Sequence, residues 1–165
     1  MRDGDSSRSK MIKMSTEQQI IQRGIFIPGE VPSSKNSKEI GFLYLGAGAT
    51  STIFHLRNGV YRPVRLNLNS SNATKRYIKE HTIDYVANKV KFQNLIKGYT
   101  APYRICFKFT RQTRRTFDYI NAAQIVQDLM VKNGWIDDDD CKNVRPYFLE
   151  YEYNKTNPGV LISIF

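Results

Sequence analysis

Asp118 and Asp128 stand ten residues apart, and Asp137, Asp138, Asp139 and Asp140 follow as an unbroken run. Between them Tyr119, Ala122, Ala123, Val126, Leu129 and Met130 recur at helical spacing, so at ~100° per residue they form one core-facing side. Asp118, Asn121, Asp128 and Lys132 fall on another side, which stacks two carboxylates and an amide along one stripe. Taken alone, such a stripe is a solvated helix face. Two neighbours add to it: Arg111, Arg114 and Arg115 immediately precede the helix, and the aspartate run begins just after a helix-stopping Gly134. A turn there can fold one of Asp137 to Asp140 back toward the stripe, and which one is left open. Two or three carboxylates suit a hard divalent cation such as Mg²⁺, whose remaining positions go to water and phosphate oxygens. Mn²⁺ accepts the same oxygen-rich site. Such an ion supplies a nucleophile near neutral pH and stabilises charge on a departing oxygen, which is the chemistry of phosphodiester hydrolysis. No Gly-rich phosphate loop, HExxH pair or Gly-x-Ser-x-Gly elbow competes with it.

The charge balance agrees with a phosphate-bearing partner. Residues 1–116 carry 21 basic and 7 acidic side chains, whereas 117–165 carry 4 and 8. A surface this basic attracts DNA or RNA through counterion release, and a cation lets carboxylates sit beside phosphates without net repulsion. At 165 residues the chain predicts one domain, and 41% apolar with 24% charged residues excludes fibrous and disordered classes. The apolar runs are too short for a bilayer span or a signal peptide, so a cytoplasmic protein is expected. Cys106 and Cys141, with only His55 and His81 beside them, make neither a disulfide framework nor a zinc site, and both thiols are read as small buried hydrophobes.

The elements that must position these groups follow from pattern. Residues 1–20 are polar and Ser-rich and read as a flexible tail. A strand is expected at 24–27, then a Pro, Gly and Ser loop to Lys38. Residues 41–66 hold short β-prone pieces around the hairpin signal Asn58-Gly59. Ser70, Ser71 or Asn72 caps a long helix ending near Gly98, with Ile78, Ile83, Val86, Val90 and Ile96 as its apolar face. Alternation predicts a strand over 103–109, the second helix runs over 118–132 with Gly134 just past its end, and strands at 147–153 and 159–164 close the chain. The fold class is α/β or α+β: one mixed sheet of about four main strands packed with two helices, plus an inserted β-hairpin region.

The stretch from Arg114 to Val144, RRTFDYINAAQIVQDLMVKNGWIDDDDCKNV, resembles the signature of RusA-type Holliday junction resolvases, small Mg²⁺-dependent endonucleases of phages and prophages. There an Arg-rich turn enters a helix beginning Asp-x-Asp-Asn, a later Asp precedes two aliphatic residues, and a Gly-aromatic stop is followed by Asp-Asp. The matching positions are Asp118, Asn121, Asp128, and Asp138 with Asp139. The loop IPGEVPSSKNSK is similar to the family's Pro-rich Ser/Lys/Asn loop. The likeness covers about 22–39 and 70–165, leaving 40–69 as an insertion in a single domain of 21–165.

What the resemblance implies is a homodimer that binds a four-way DNA junction and makes paired nicks, with no membrane and no small-molecule cofactor involved, inside a bacterial host cell if phage-encoded. It implies Asp118 and Asp139 as metal ligands, Asp138 and Asp128 as helpers, and Asn121 orienting ligands or water. Lys35, Asn36, Lys75, Arg76, Lys79, Lys108, Arg111, Arg114 and Arg115 are the expected DNA contacts. Trp135 and Tyr119 are read as core residues before they are read as base stackers. Two positions depart from the family: its second acid is Ile120 here and its usual lysine is Gln124. Asp128, Asp137 or Asp140 can supply the carboxylate and Lys35 the charge. The departures also sustain an alternative, a junction-binding protein that cleaves weakly or not at all.

Overall fold

A computed structural model describes residues 15–32, 38–46, 48 and 50–165. Lys35 and Asn36 lie outside the described residues. The chain is a mixed α+β fold in the order α1 (Thr16–Arg23), β1 (Ile25–Pro28), β2 (Lys38–Tyr44), β3 (Phe54–Arg57), β4 (Val60–Ser70), α2 (Asn72–Leu95), β5 (Tyr103–Arg111), α3 (Tyr119–Lys132), β6 (Val144–Phe148), β7 (Glu152–Tyr153) and β8 (Gly159–Ile164). The main sheet runs β1-β8-β5-β6, with β7 beside the far end of β5. Strands β1 and β5 flank β8 antiparallel, whereas β6 and β7 run parallel to β5. The strand expected over 147–153 is thus two pieces, 144–148 and 152–153, with the Leu149 N–H still donating to the Phe107 carbonyl at 3.0 Å in the gap between them.

The central strands β5 and β8 bury one face almost completely, whereas the opposite face of β5 carries the exposed Arg104 and the half-buried Lys108. Ile105, Phe107 and Phe109 are almost fully buried on β5, as are Val160 and Ile162 on β8. Helix α3 covers them with Ala122, Ala123, Ile125, Val126, Leu129 and Met130, the face expected with Ile125 added and Tyr119 only half-buried at its edge. Gly134 has φ +67°, the left-handed turn that ends α3. The chain then returns Trp135 to the core, where its ring packs on Tyr85 and Phe92 and its Nε1–H donates to the Tyr85 carbonyl at 2.7 Å.

Two elements differ from expectation. Residues 16–20 are not tail: Ser15 and Gln18 form a capping box that starts α1, Ile20 is buried, and the Ser163 hydroxyl donates to the Ile20 carbonyl at 2.9 Å. Helix α2 spans the expected length from its Ser71 cap, but it buries Thr74, Tyr77, Tyr85 and Phe92. Ile83, Val86 and Val90 face solvent, 56–68% exposed. The two stripes lie ~150° apart at ~100° per residue. Burying three aromatic rings removes more apolar area than burying three aliphatic side chains, so the aromatic stripe takes the core.

The inserted region is a three-stranded antiparallel sheet, β2-β4-β3, separate from the main sheet. Asn58 and Gly59 both adopt positive φ, as a two-residue turn between β3 and β4 requires. Among the described residues none of this sheet belongs to the main core cluster.

Candidate functional site

Helix α3 and the loop after it carry the acidic groups. Asp118 is the N-cap of α3, and its Oδ1 accepts from the Ile120 N–H at 2.9 Å. Asp128 lies ten residues further along the same rod, about 15 Å at 1.5 Å per residue. Oxygen ligands of one Mg²⁺ sit roughly 2 Å from the ion, so these two carboxylates do not share a centre. Beyond α3 the chain turns, and Asp138 Oδ1 accepts from the Asp139 N–H at 2.8 Å. Asp140 Oδ1 accepts from the backbone of Lys142 and Asn143 and from the Asn143 amide at 2.7 Å. These bonds, the side-chain one first, hold the Asp140 carboxyl below its usual range. Asp140 therefore closes its own loop.

Asp139 is the member of the run that reaches the helix electrostatically. The Asp128 carboxyl is raised above the ordinary 3.8, first by burial and then by the charge of Asp139. Asp128 on α3 thus feels the charge of Asp139 from the following loop, but the expected set of Asp118, Asp128, Asp138 and Asp139 does not close into one centre. Among the described residues no three His, Cys, Asp or Glu side chains gather closely enough to hold a metal ion. The rigid rise of α3 separates its two ends, and the local turn engages Asp138. What remains is Asp128 and Asp139, two oxygen donors of the chemistry a Mg²⁺ that keeps several waters would take, and a cation beside them would ease the smaller, Asp139-derived part of the Asp128 shift. Asn121 is half-buried on the first turn of α3, and Ile120, where the second acid was expected, is 61% exposed.

The basic residues divide into free and engaged. Lys75, Arg76 and Lys79 are exposed on the first turns of α2, with Arg76 loosely paired to Glu80 at 3.9 Å. Arg114 and Arg115 are exposed before α3, the Arg114 guanidinium lying over the Tyr153 ring at 4.8 Å. Lys108 pairs with Glu152 at 3.3 Å. Arg111 is held on three sides: it pairs with Glu30 at 2.7 Å, donates to the Val31 carbonyl at 2.6 Å, and stacks on Phe117 at 4.5 Å. Its side chain is only 11% exposed, so this arginine clasps the loop after β1 to the end of β5. Gly29 in that loop has φ +98°, and a Cβ there would lie 2.2 Å from the His81 ring.

Cys106 is buried and its thiol pushed up to about 11 by that burial, as a small hydrophobe's would be. Cys141 is exposed, contrary to expectation, because it sits in the acidic loop rather than on an element with a core face. Tyr119 is half-buried among Phe109, Phe117 and Phe148, and its hydroxyl accepts from the Tyr151 N–H at 3.0 Å. No helix among the described residues is long and apolar enough to cross a membrane. Compared with models of known protein families and with curated proteins, the chain matches none.

Proposed function

We propose that the protein is a divalent-metal-dependent endodeoxyribonuclease that acts on four-way DNA junctions as a homodimer. The observation that carries this reading is the charge repulsion that Asp139, in the loop after α3, exerts on Asp128 of that helix, in a strongly basic chain. Mg²⁺ or Mn²⁺, when bound there, supplies Lewis acidity toward a phosphate oxygen and lowers the pKa of water. The chain's own groups hold the ion and place the DNA. Asp139 and Asp128 accept the cation, Asn121 offers an amide on the same helix, and Asp118 fixes the N-terminus of α3. Lys75, Lys79, Arg114 and Arg115 have charge free for phosphates. Ile83, Val86 and Val90 are spaced by three and four residues, the interval at which two helices interlock along a seam, and this supports a second copy against α2.

The test is cleavage of a synthetic four-way junction in Mg²⁺ by the wild type beside Asp139→Asn, Asp128→Asn and Asp118→Asn. Loss of nicking in Asp139→Asn and Asp128→Asn with junction binding kept is the expected result. The exposed Ile120 in place of an acid favours a second reading, a junction-binding protein with little cleavage. Tight wild-type binding without nicking in any divalent metal would establish that reading instead.

A further inference from the structure

The inserted sheet has two unlike faces. Cross-strand partners and alternate residues share a face, so the register Phe54↔Pro63, Leu56↔Tyr61 and Leu43↔Arg65 puts Leu43, Phe54, Leu56, Tyr61 and Arg65 on one side. Phe42, Tyr44, His55, Arg57, Arg62 and Val64 occupy the other.

The second side is partly covered by its own side chains, although Phe42, Val60 and Leu66 stay exposed there. Phe42 stacks on His55 with ring centroids 4.0 Å apart, the Tyr44 hydroxyl bonds His55 Nδ1 at 2.7 Å, and the Arg57 guanidinium lies 4.9 Å above the Tyr44 ring. Beneath them Val64 is fully buried. This small core stiffens the sheet without help from the main one.

The first side has no such cover. Leu43, Phe54, Leu56 and Tyr61 are each more than half exposed, Tyr61 at 69%. Exposed apolar surface of this kind marks a binding face, and charge selects its occupant. Residues 38–70 hold Lys38, Arg57, Arg62 and Arg65 against Glu39 alone. Among the described residues none of the three arginines pairs with a carboxylate. A protein partner of ordinary composition would leave those charges unmatched, whereas a nucleic acid offers flat apolar bases edged by phosphates.

We propose that the end of this sheet, the β3–β4 ribbon, is a DNA wedge. Phe54, Leu56 and Tyr61 lie against unstacked bases at a branch point, and Arg57, Arg62 and Arg65 neutralise phosphates of the strands that part around it. Apolar side chains inserted at base steps act this way in other architectures, and a two-stranded ribbon is slim enough to enter a groove. A cleft of about 420 Å³, lined by Leu45, Ser51, Ile53, Val64 and Leu66, opens at the base of the ribbon and leaves room beside it for a displaced base. The proposal rests on the junction-DNA reading above.

The experiment titrates the full chain against a four-way junction carrying 2-aminopurine at its centre, and against a linear duplex of the same sequence, over a range of salt. The variants are Phe54→Ala with Tyr61→Ala, and separately Arg57→Gln with Arg62→Gln and Arg65→Gln, each used only at a Tm equal to the wild type's because Arg57 also lies over the Tyr44 ring. The wild type is expected to raise 2-aminopurine emission. The aromatic pair should lose that signal and at least ~10-fold in junction affinity, in line with measured stacking contributions, with duplex binding kept. The arginine triple should flatten the slope of log affinity against log salt by roughly 2 to 3. Wild-type junction binding with both variant sets unchanged overturns the wedge and leaves the junction reading standing. Equal losses on junction and duplex also overturn it, in favour of unspecific phosphate contact. Absence of wild-type junction binding overturns the reading beneath it as well.

Discussion

Asp118 is placed to perform two tasks, and its substitutions separate them. Its Oδ1 satisfies the Ile120 N–H at the exposed start of α3, and replacing a capping Asp by Ala costs about 1 kcal/mol, within a range of roughly 0.5 to 2. For a chain of this length that lowers Tm by about 2–4 °C. Asn caps as well as Asp but carries no charge, so Asp118→Asn forfeits only the attraction between a carboxylate and the helix N-terminus. That attraction is ~0.3–1 kcal/mol at low ionic strength and is smaller in salt. In 0.3 M salt the Asn variant should therefore melt within half the Ala decrement of the wild type. Junction nicking reports the other task. If the charge at 118 serves catalysis, the Ala and Asn variants lose activity alike while only Ala loses stability. An Asn variant that melts as low as Ala, or an Ala variant that melts with the wild type, would refute the capping argument. An Asn variant with full nicking would confine Asp118 to helix architecture.

Three further outcomes are expected. Because the folded state raises the Asp128 carboxyl, it binds that proton more tightly than the unfolded chain does, and ionising Asp128 opposes folding as pH rises from 3.8 through the raised value. Asp128→Asn should thus gain Tm at pH 7 and nothing at pH 3, by a few tenths of a kcal/mol since the group is partly solvated, and millimolar Mg²⁺ should erase the gain; equal melting shifts at both pH values would contradict the pairing with Asp139. Val86→Glu puts a charge in the exposed α2 seam and should convert a dimer to monomer by light scattering with Tm little altered, whereas an unaltered dimer moves the interface elsewhere. Gly159→Ala places a methyl 2.4 Å from the Phe26 ring and 2.5 Å from the Ile27 carbonyl, and should cost about 1–3 kcal/mol by overpacking in a denaturant titration.

The parts of the fold with one dominant periodicity were legible from residues alone. α3 has one apolar face and a Gly stop, and its buried set matched expectation except that Ile125 joins it and Tyr119 is only half-buried; the 159–164 strand matched in full. α2 defeated the same reasoning because it carries two apolar stripes, and only packing decides between an aromatic and an aliphatic one. α1 was lost in a polar tail although Ser15 and Gln18 are a readable capping pair. In the candidate site, spacing placed the aspartate run just beyond the end of α3, whereas the member whose charge acts on that helix was not readable from it. Which Asp turns inward depends on a loop whose hydrogen bonds commit Asp140 and Asp138 locally. Arg111 read as a free phosphate contact because Glu30, its partner, lies 81 residues away in the chain.

β4 ends at Ser70, and α2 begins at Asn72, with the single cap residue Ser71 between them. Ser71 is buried, and its hydroxyl accepts from the Thr74 N–H at 3.2 Å, so this joint has no slack. The opposite root of the insertion follows a loop pinned at Val31 by Arg111. The small sheet is thus joined to the 24-residue α2, whose aromatic flank is seated in the core, through one buried and hydrogen-bonded residue, and a change at that residue would reach both.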